Sequence, residues 1–567
     1  MNRWKRIGPW MLILGFSIYM SIFSGCGSDS DDIVDPVPPS LDQLNIICHD
    51  LAPAPGTTAQ LTIQVDGYSP SGEWPVYTWT SDAGTFPDGN TGISVAWTAP
   101  VTPGLVSFTV TGVLGGLADT TSTHVLVRNF GELDTGRNFS CHPRHLFNEL
   151  YYFGDADGIP PRSPNFLGYH CYRYVSSDLS MLVTNVDEVQ GGGYNLYMPE
   201  GGSVVVGSFI RTYFNGLKQQ RQDTWLFPLT IGSIVNVTDD GGGIIPRMNQ
   251  HVHPFSNPYG GKVVWEARVA GPFADGTWDL SNVGYWESFA NDTVYVTESH
   301  DSTIVQQGPD IVTVHRFYNN IKPMITPDED KLIYFVDTTG VFEPCIIDMS
   351  SGLDISSRRA LMVTDRRGIF ETAGINVYEN TVFQWNHTAG IMAFIERSGK
   401  LCFFDPLTES VMTVPGLDDK DADALEVVWS PDGIECAVVR AEGIWLVSVA
   451  GIMSADPVFR KEKNTDGIIG LAWSPNTDEP KLAFRMIRKG KNVEDSFSAL
   501  MISYLNDELT VYASPSVHWN TPYEPMIDYT YLRLFFDGDE NIYAPIPTPQ
   551  WSGDPDRDVE CAIFYCY

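Results

Sequence analysis

The chain has 567 residues, 12% of them aromatic, and a formal charge of −35. That length calls for two or more domains. That charge argues against nucleic acid as a partner, because phosphate contact needs a basic surface.

Arg3, Lys5 and Arg6 open the chain, and an apolar run follows through Trp10, Met11, Leu12, Ile13, Leu14 and Phe16. Phe23-Ser24-Gly25-Cys26 then places small residues before a cysteine. The stretch is too short and too rich in Ser and Gly for a spanning helix, which needs about 20 apolar residues. It resembles a bacterial lipoprotein signal with its lipobox, with Phe23 where leucine is commoner. The resemblance implies removal of residues 1–25, lipid attachment at Cys26 and a membrane partner reached through that lipid. Gly27 follows the cysteine where an inner-membrane retention signal has Asp, which implies an outer-membrane lipoprotein, periplasmic-facing or at the cell surface. Loss of the three basic residues takes the charge to about −38. Residues 26–40 carry Asp29, Asp31, Asp32 and Asp35 among Pro36, Pro38 and Pro39, the composition of a solvated tether.

Residues 41–128 read as an all-β unit. Leu61, Ile63 and Val65 alternate with polar positions, as do Tyr77-Thr78-Trp79 and Val95-Ala96-Trp97. Turns are predicted at Pro70-Ser71-Gly72, Pro87-Asp88-Gly89-Asn90 and Gly115-Gly116. The stretch YTWTSDAGTF…VAWTAPVTPGLVSFTVTG resembles bacterial immunoglobulin-like surface modules, which implies a β-sandwich. Trp79 and Trp97 are expected in its core.

From residue 139 a turn followed by an apolar strand recurs. It starts at Ser176, Ser256, Thr326, His387, Trp429, Trp473 and Asp528, at steps of 80, 70, 61, 42, 44 and 55. The shorter steps approach the roughly 40–45 residues of a four-stranded propeller blade. WSPDG at 429 and WSPN at 473 resemble the repeats of TolB-like propellers. The resemblance implies an all-β fold in which residues 139–567 form a β-propeller, most simply seven-bladed, behind the sandwich.

Export would place the remaining cysteines where disulfides persist. Bridges from Cys141 or Cys171 to Cys561 or Cys566 are the candidate closure of such a ring. The neighbouring pairs Cys48-His49, Cys141-His142 and His170-Cys171, with His145, His251 and His253, lack the CxxC or HExxH spacing of a zinc site. Acidic turns fit calcium better. Asp155 with Asp157, and Asp554 with Asp556 and Asp558, are the candidate ligands, although neither run continues into an EF-hand pattern. No cofactor is otherwise indicated. Trp278, Tyr285 and Trp286 form a candidate contact patch, since aromatic side chains bury large area at low entropic cost. No GxSxG elbow is present and no catalytic residue is assigned. The leading expectation is a non-catalytic envelope protein that binds a protein or polysaccharide through its propeller. The alternative is a hydrolase or lyase acting on an extracellular polysaccharide in a propeller cleft.

Overall fold

The computed structural model describes residues 44–48, 52–65, 75–114, 117–133, 140–146, 149–155, 169–176, 179–184, 189–199, 202–213, 219–229, 233–238, 248–270, 279–288, 292–296, 300–307, 310–317, 319–337, 342–360, 383–395, 400–415, 424–461, 465–488, 497–514, 517–518, 534–549 and 559–567. Among these residues every regular element is a β-strand, forty-one in all. The alternation of β-branched and aromatic residues with polar ones suits a pleated surface, and the Gly, Pro and Asp clusters between runs supply the turns.

The strands form eight hydrogen-bonded sheets. The first region gives two three-stranded sheets. One pairs Leu44–Cys48, Thr58–Val65 and Ser94–Thr98, and the other pairs Val76–Ser81, Gly104–Leu114 and Leu117–Val127. They share one core, in which Trp79, Trp97 and Phe108 are fully buried. Trp97 meets Phe108 edge-on at 4.7 Å between centroids. The Trp79 indole donates to the Gly92 carbonyl at 2.8 Å, so its polar atom is satisfied inside an apolar core. The immunoglobulin-like expectation is corrected by this count. Among the described residues, six strands in two sheets fall short of the seven-stranded arrangement that the name requires.

The propeller expectation is corrected as well. From Ser140–Leu146 to Asp354–Ala360, sixteen strands join in one continuous sheet instead of separate four-stranded blades. The joins are narrow: Tyr169 opposite Gly193, Gln222 parallel to Gln250, and Ser281 parallel to Asn319. Further on, Phe383–Thr413 and Ala424–Arg460 make sheets of four, and Thr465–His518 makes a sheet of five. None of the eight sheet orders is circular, so the described strands close into neither a barrel nor a seven-bladed ring. Local spacing predicted hairpins correctly but carries no information about which hairpins share a ladder.

The last sheet pairs Phe535–Phe536, Ile542–Pro549 and Val559–Cys566 with Phe130–Leu133 from the other end of the body. Phe130 stacks on Phe564 at 5.1 Å, and Asn129 and Tyr567 exchange both backbone hydrogen bonds at 3.1 Å. Arg128 Nη1 donates to the carbonyls of Glu540 and Cys566 at 3.4 Å.

The expected disulfides are corrected too. No disulfide is found among the seven described cysteines, Cys48, Cys141, Cys171, Cys345, Cys402, Cys436 and Cys566. Cys141 and Cys171 each lie directly opposite Phe153, on the two strands that flank it. Cys566 instead directs its thiol to the Ala513 carbonyl at 3.1 Å. The described link between the Val559–Cys566 strand and Phe130–Leu133 is a β-ladder. Cys561 lies on the Val559–Cys566 strand, and its side chain is outside the described residues.

Candidate functional site: carboxylate clasps between sheets

Three tryptophans recur at equal steps of 44: Trp385, Trp429 and Trp473. Each ends or nearly ends the first strand of its sheet. The Trp429 indole donates to the Gln384 carbonyl and the Trp473 indole to the Val428 carbonyl, both at 3.1 Å. Each thus fastens its own sheet to the first strand of the sheet before it. Asn386, next to Trp385, does the same in the other direction, donating to the Gly433 carbonyl at 2.7 Å. Gly433 has φ 72°, and a Cβ there would lie 2.5 Å from Asn386 Oδ1, so this turn requires glycine.

A second set of cross-links uses charge. Glu329, Glu409, Glu508 and Glu540 have φ of 60°, 56°, 50° and 62°, a left-handed conformation uncommon outside glycine. Each sits in a hairpin turn one or two residues before its strand begins. Three of the four reach a cation on another hairpin. Glu329 pairs with Lys262 at 3.2 Å and accepts from Asn257 Nδ2 at 2.7 Å. Glu409 pairs with Lys331 at 3.3 Å and with Arg359, which also holds Asp348 at 2.9 Å. Glu540 pairs with Lys481 and accepts from Ser474 Oγ at 2.7 Å. Lys262, Lys331 and Lys481 all open the strand that follows a recurrent turn. The repeat therefore carries a lysine whose partner comes from a later hairpin.

Two of these carboxylates, Glu540 and Glu409, have lowered pKa values. For Glu540, burial pushes the pKa up, but hydrogen bonds from Lys481 and Ser474 and the Lys481 charge outweigh it and hold it below the ordinary value. For Glu409 the Arg359 hydrogen bonds lead, burial opposes, Lys331 assists, and the result is again lowered. Acids so far from neutral pH are poor proton-transfer groups, and the arrangement suits bracing. Glu435 goes the other way. Burial, then the charge of Asp432, raises its pKa.

The residues singled out from sequence do not gather at one place. Asp155 is fully buried on the Glu149–Asp155 strand, within the sixteen-stranded sheet. Asp157, Asp554, Asp556, Asp558, Trp278 and Cys26 lie outside the described residues. No group of three or more His, Cys, Asp or Glu side chains is placed to hold a metal among the described residues. Tyr285 and Trp286 are 4% and 5% exposed, on opposite faces of one strand, and belong to two different core clusters. Their aromatic area is spent on packing. The clasp glutamates were missed because nothing in composition marks a glutamate as left-handed. The Trp385 copy had a visible signal, its step of 44 to Trp429, hidden because the WSP phrase is absent there.

No family model matches the chain, and no curated protein matches it. The lipoprotein, immunoglobulin-like and TolB-like resemblances therefore gain no support from known families. Among solved structures, the tricorn protease aligns with 78% of this chain and 42% of its own, at 11% identity and a TM-score of 0.26. The chain thus spans less than half of that protein. An oligogalacturonate lyase from Vibrio parahaemolyticus aligns over 77% of this chain and 96% of its own, at 8% identity and a TM-score of 0.37. A puromycin hydrolase aligns over 72% and 58%, at 11% identity and a TM-score of 0.36. Likenesses this remote transfer neither a catalytic residue nor a substrate. The two expected functions each required a closed propeller, one for its binding face and one for its cleft, and the sheet order removes that basis from both.

Proposed function

We propose that this chain is an envelope protein stationed at the outer membrane, its membrane partner reached through acyl chains on Cys26. The single observation that carries the reading is the N-terminal order of charge, apolar run and small residues before Cys26. Several acyl chains, each contributing about 0.8 kcal/mol per buried CH₂, hold a soluble body firmly, whereas one chain binds only marginally. Residues 26–40 then serve as the tether, and the acidic body stands off anionic headgroups.

Metabolic labelling with an alkynyl fatty acid tests the proposal. The mature chain should begin at Cys26, carry the label and sediment with the outer membrane, while Cys26→Ser should abolish labelling and leave the protein out of the membrane fraction. An unlabelled mature chain, or an intact residue 1–25 segment on the mature protein, would refute it.

A further inference from the structure

An apolar cluster lies between the strands Val204–Tyr213 and Gln219–Pro228 on one side and Lys262–Ala270 and Asp279–Glu287 on the other. Val204, Val206, Leu226, Val263, Trp265, Ala267 and Trp286 share one cluster there. Ser208 lies directly opposite Thr224. Alternation along their strands puts both on the face of Val206 and Leu226. Asn282 lies opposite Ala267 and, by the same rule, on the face of Trp265 and Ala267. All three side chains therefore enter the same layer from its two sides. They are 0%, 0% and 8% exposed, and Ser208 Oγ, Thr224 Oγ1 and Asn282 Oδ1 have no hydrogen-bond partner among the described residues.

Three orphaned polar atoms in one apolar layer are costly, since a buried hydroxyl without a partner forfeits about 1–3 kcal/mol. Replacement by Ala and Val would have removed that cost. We propose that this layer contains an internal binding site, formed by Ser208, Thr224 and Asn282, for an uncharged hydroxyl-bearing guest: water or a small polyol. The chemistry selects the guest class. Two hydroxyls can each donate or accept and one amide oxygen accepts, which matches a molecule with both O–H donors and oxygen acceptors. The aliphatic and indole lining disfavours a charged guest. Buried water commonly makes 2–4 such contacts, about the number available here.

The sign of a stability change tests this. In an occupied site, Thr224→Val deprives the guest of a partner, and the unfolding equilibrium constant of the full chain should rise about 3–10-fold, within the range of a net hydrogen bond. In a dry site the same change removes an orphaned hydroxyl, and the variant should be as stable as the parent or more so, which would overturn the proposal. Ser208→Ala provides the second variant. Oxygen-17 relaxation dispersion on the parent chain gives a readout that needs no variant. A long-lived water that is lost in the Ser208→Ala/Thr224→Val double variant identifies water as the guest. A glycerol-dependent rise in Tm that is larger for the parent than for the double variant identifies the polyol. Neither signal in the parent would also overturn the proposal.

Discussion

Lys481→Met is the sharpest test of the clasps. It keeps the aliphatic stem of a nearly buried lysine and removes the ammonium that faces Glu540 and lies 5.6 Å from the Tyr504 ring centroid. Exposed ion pairs contribute about 0.2–1 kcal/mol, and losing one partner of a buried pair costs about 3–5 kcal/mol. With side-chain exposures of 10% and 21%, this pair lies between those limits, so a loss of about 1–3 kcal/mol is expected. A double-mutant cycle with Glu540→Gln, read by urea unfolding with tryptophan fluorescence, should return a coupling of about 1–2 kcal/mol at pH 7. The folded pKa of Glu540 is depressed, so its contribution is complete above the unfolded carboxylate value of about 4.3. It is lost as pH falls through the lower folded value. The coupling should therefore persist at pH 5 and fade as the pH is taken down past the unfolded carboxylate value and through the lower folded one. A coupling under about 0.3 kcal/mol at pH 7, the limit of ordinary additivity, would refute the clasp reasoning. So would a coupling that fails to weaken on acidification.

Glu508 is exposed, left-handed and without an ion pair among the described residues, so Glu508→Gly should raise stability by up to about 1 kcal/mol, whereas Glu540→Gly should lower it; thermal unfolding separates the two. Glu435→Gln should stabilise at pH 7, because a raised folded pKa means that stability is full below the unfolded value and is lost as pH rises through the folded one; the gain should vanish below about pH 4. Trp473→Phe should cost about 2 kcal/mol through the lost bond to Val428 and reduced packing, read by urea midpoint. Among the seven described cysteines, thiol labelling of the native protein mapped by peptide mass spectrometry should find at most Cys48 accessible, with the other six reacting only in denaturant; a disulfide-linked peptide joining two of the seven would contradict this.

What could be read in advance was the local part of the fold. Leu61, Ile63 and Val65 alternate in a strand because one face is apolar, and Pro431-Asp432-Gly433 makes a turn because each residue favours one there. The sheet joins were not readable. Gln222 beside Gln250 and Ser281 beside Asn319 are single register contacts made by residues with no distinctive pattern. The aromatic patch misled for a similar reason. Tyr285 and Trp286 are adjacent in sequence, yet period-two geometry turns them to opposite faces, where separate neighbours cover each. The thiols follow the same logic: proximity of Cys141 and Cys171 to a common neighbour, Phe153, keeps them two strands apart.

The mutual bonds between Asn129 and Tyr567 tie the final residue into a sheet whose edge strand was synthesised long before it. Arg128 reaches Cys566 across 438 positions of chain. Closing that seam costs the loop entropy of the whole intervening segment, so it should form after the local hairpins on either side of it.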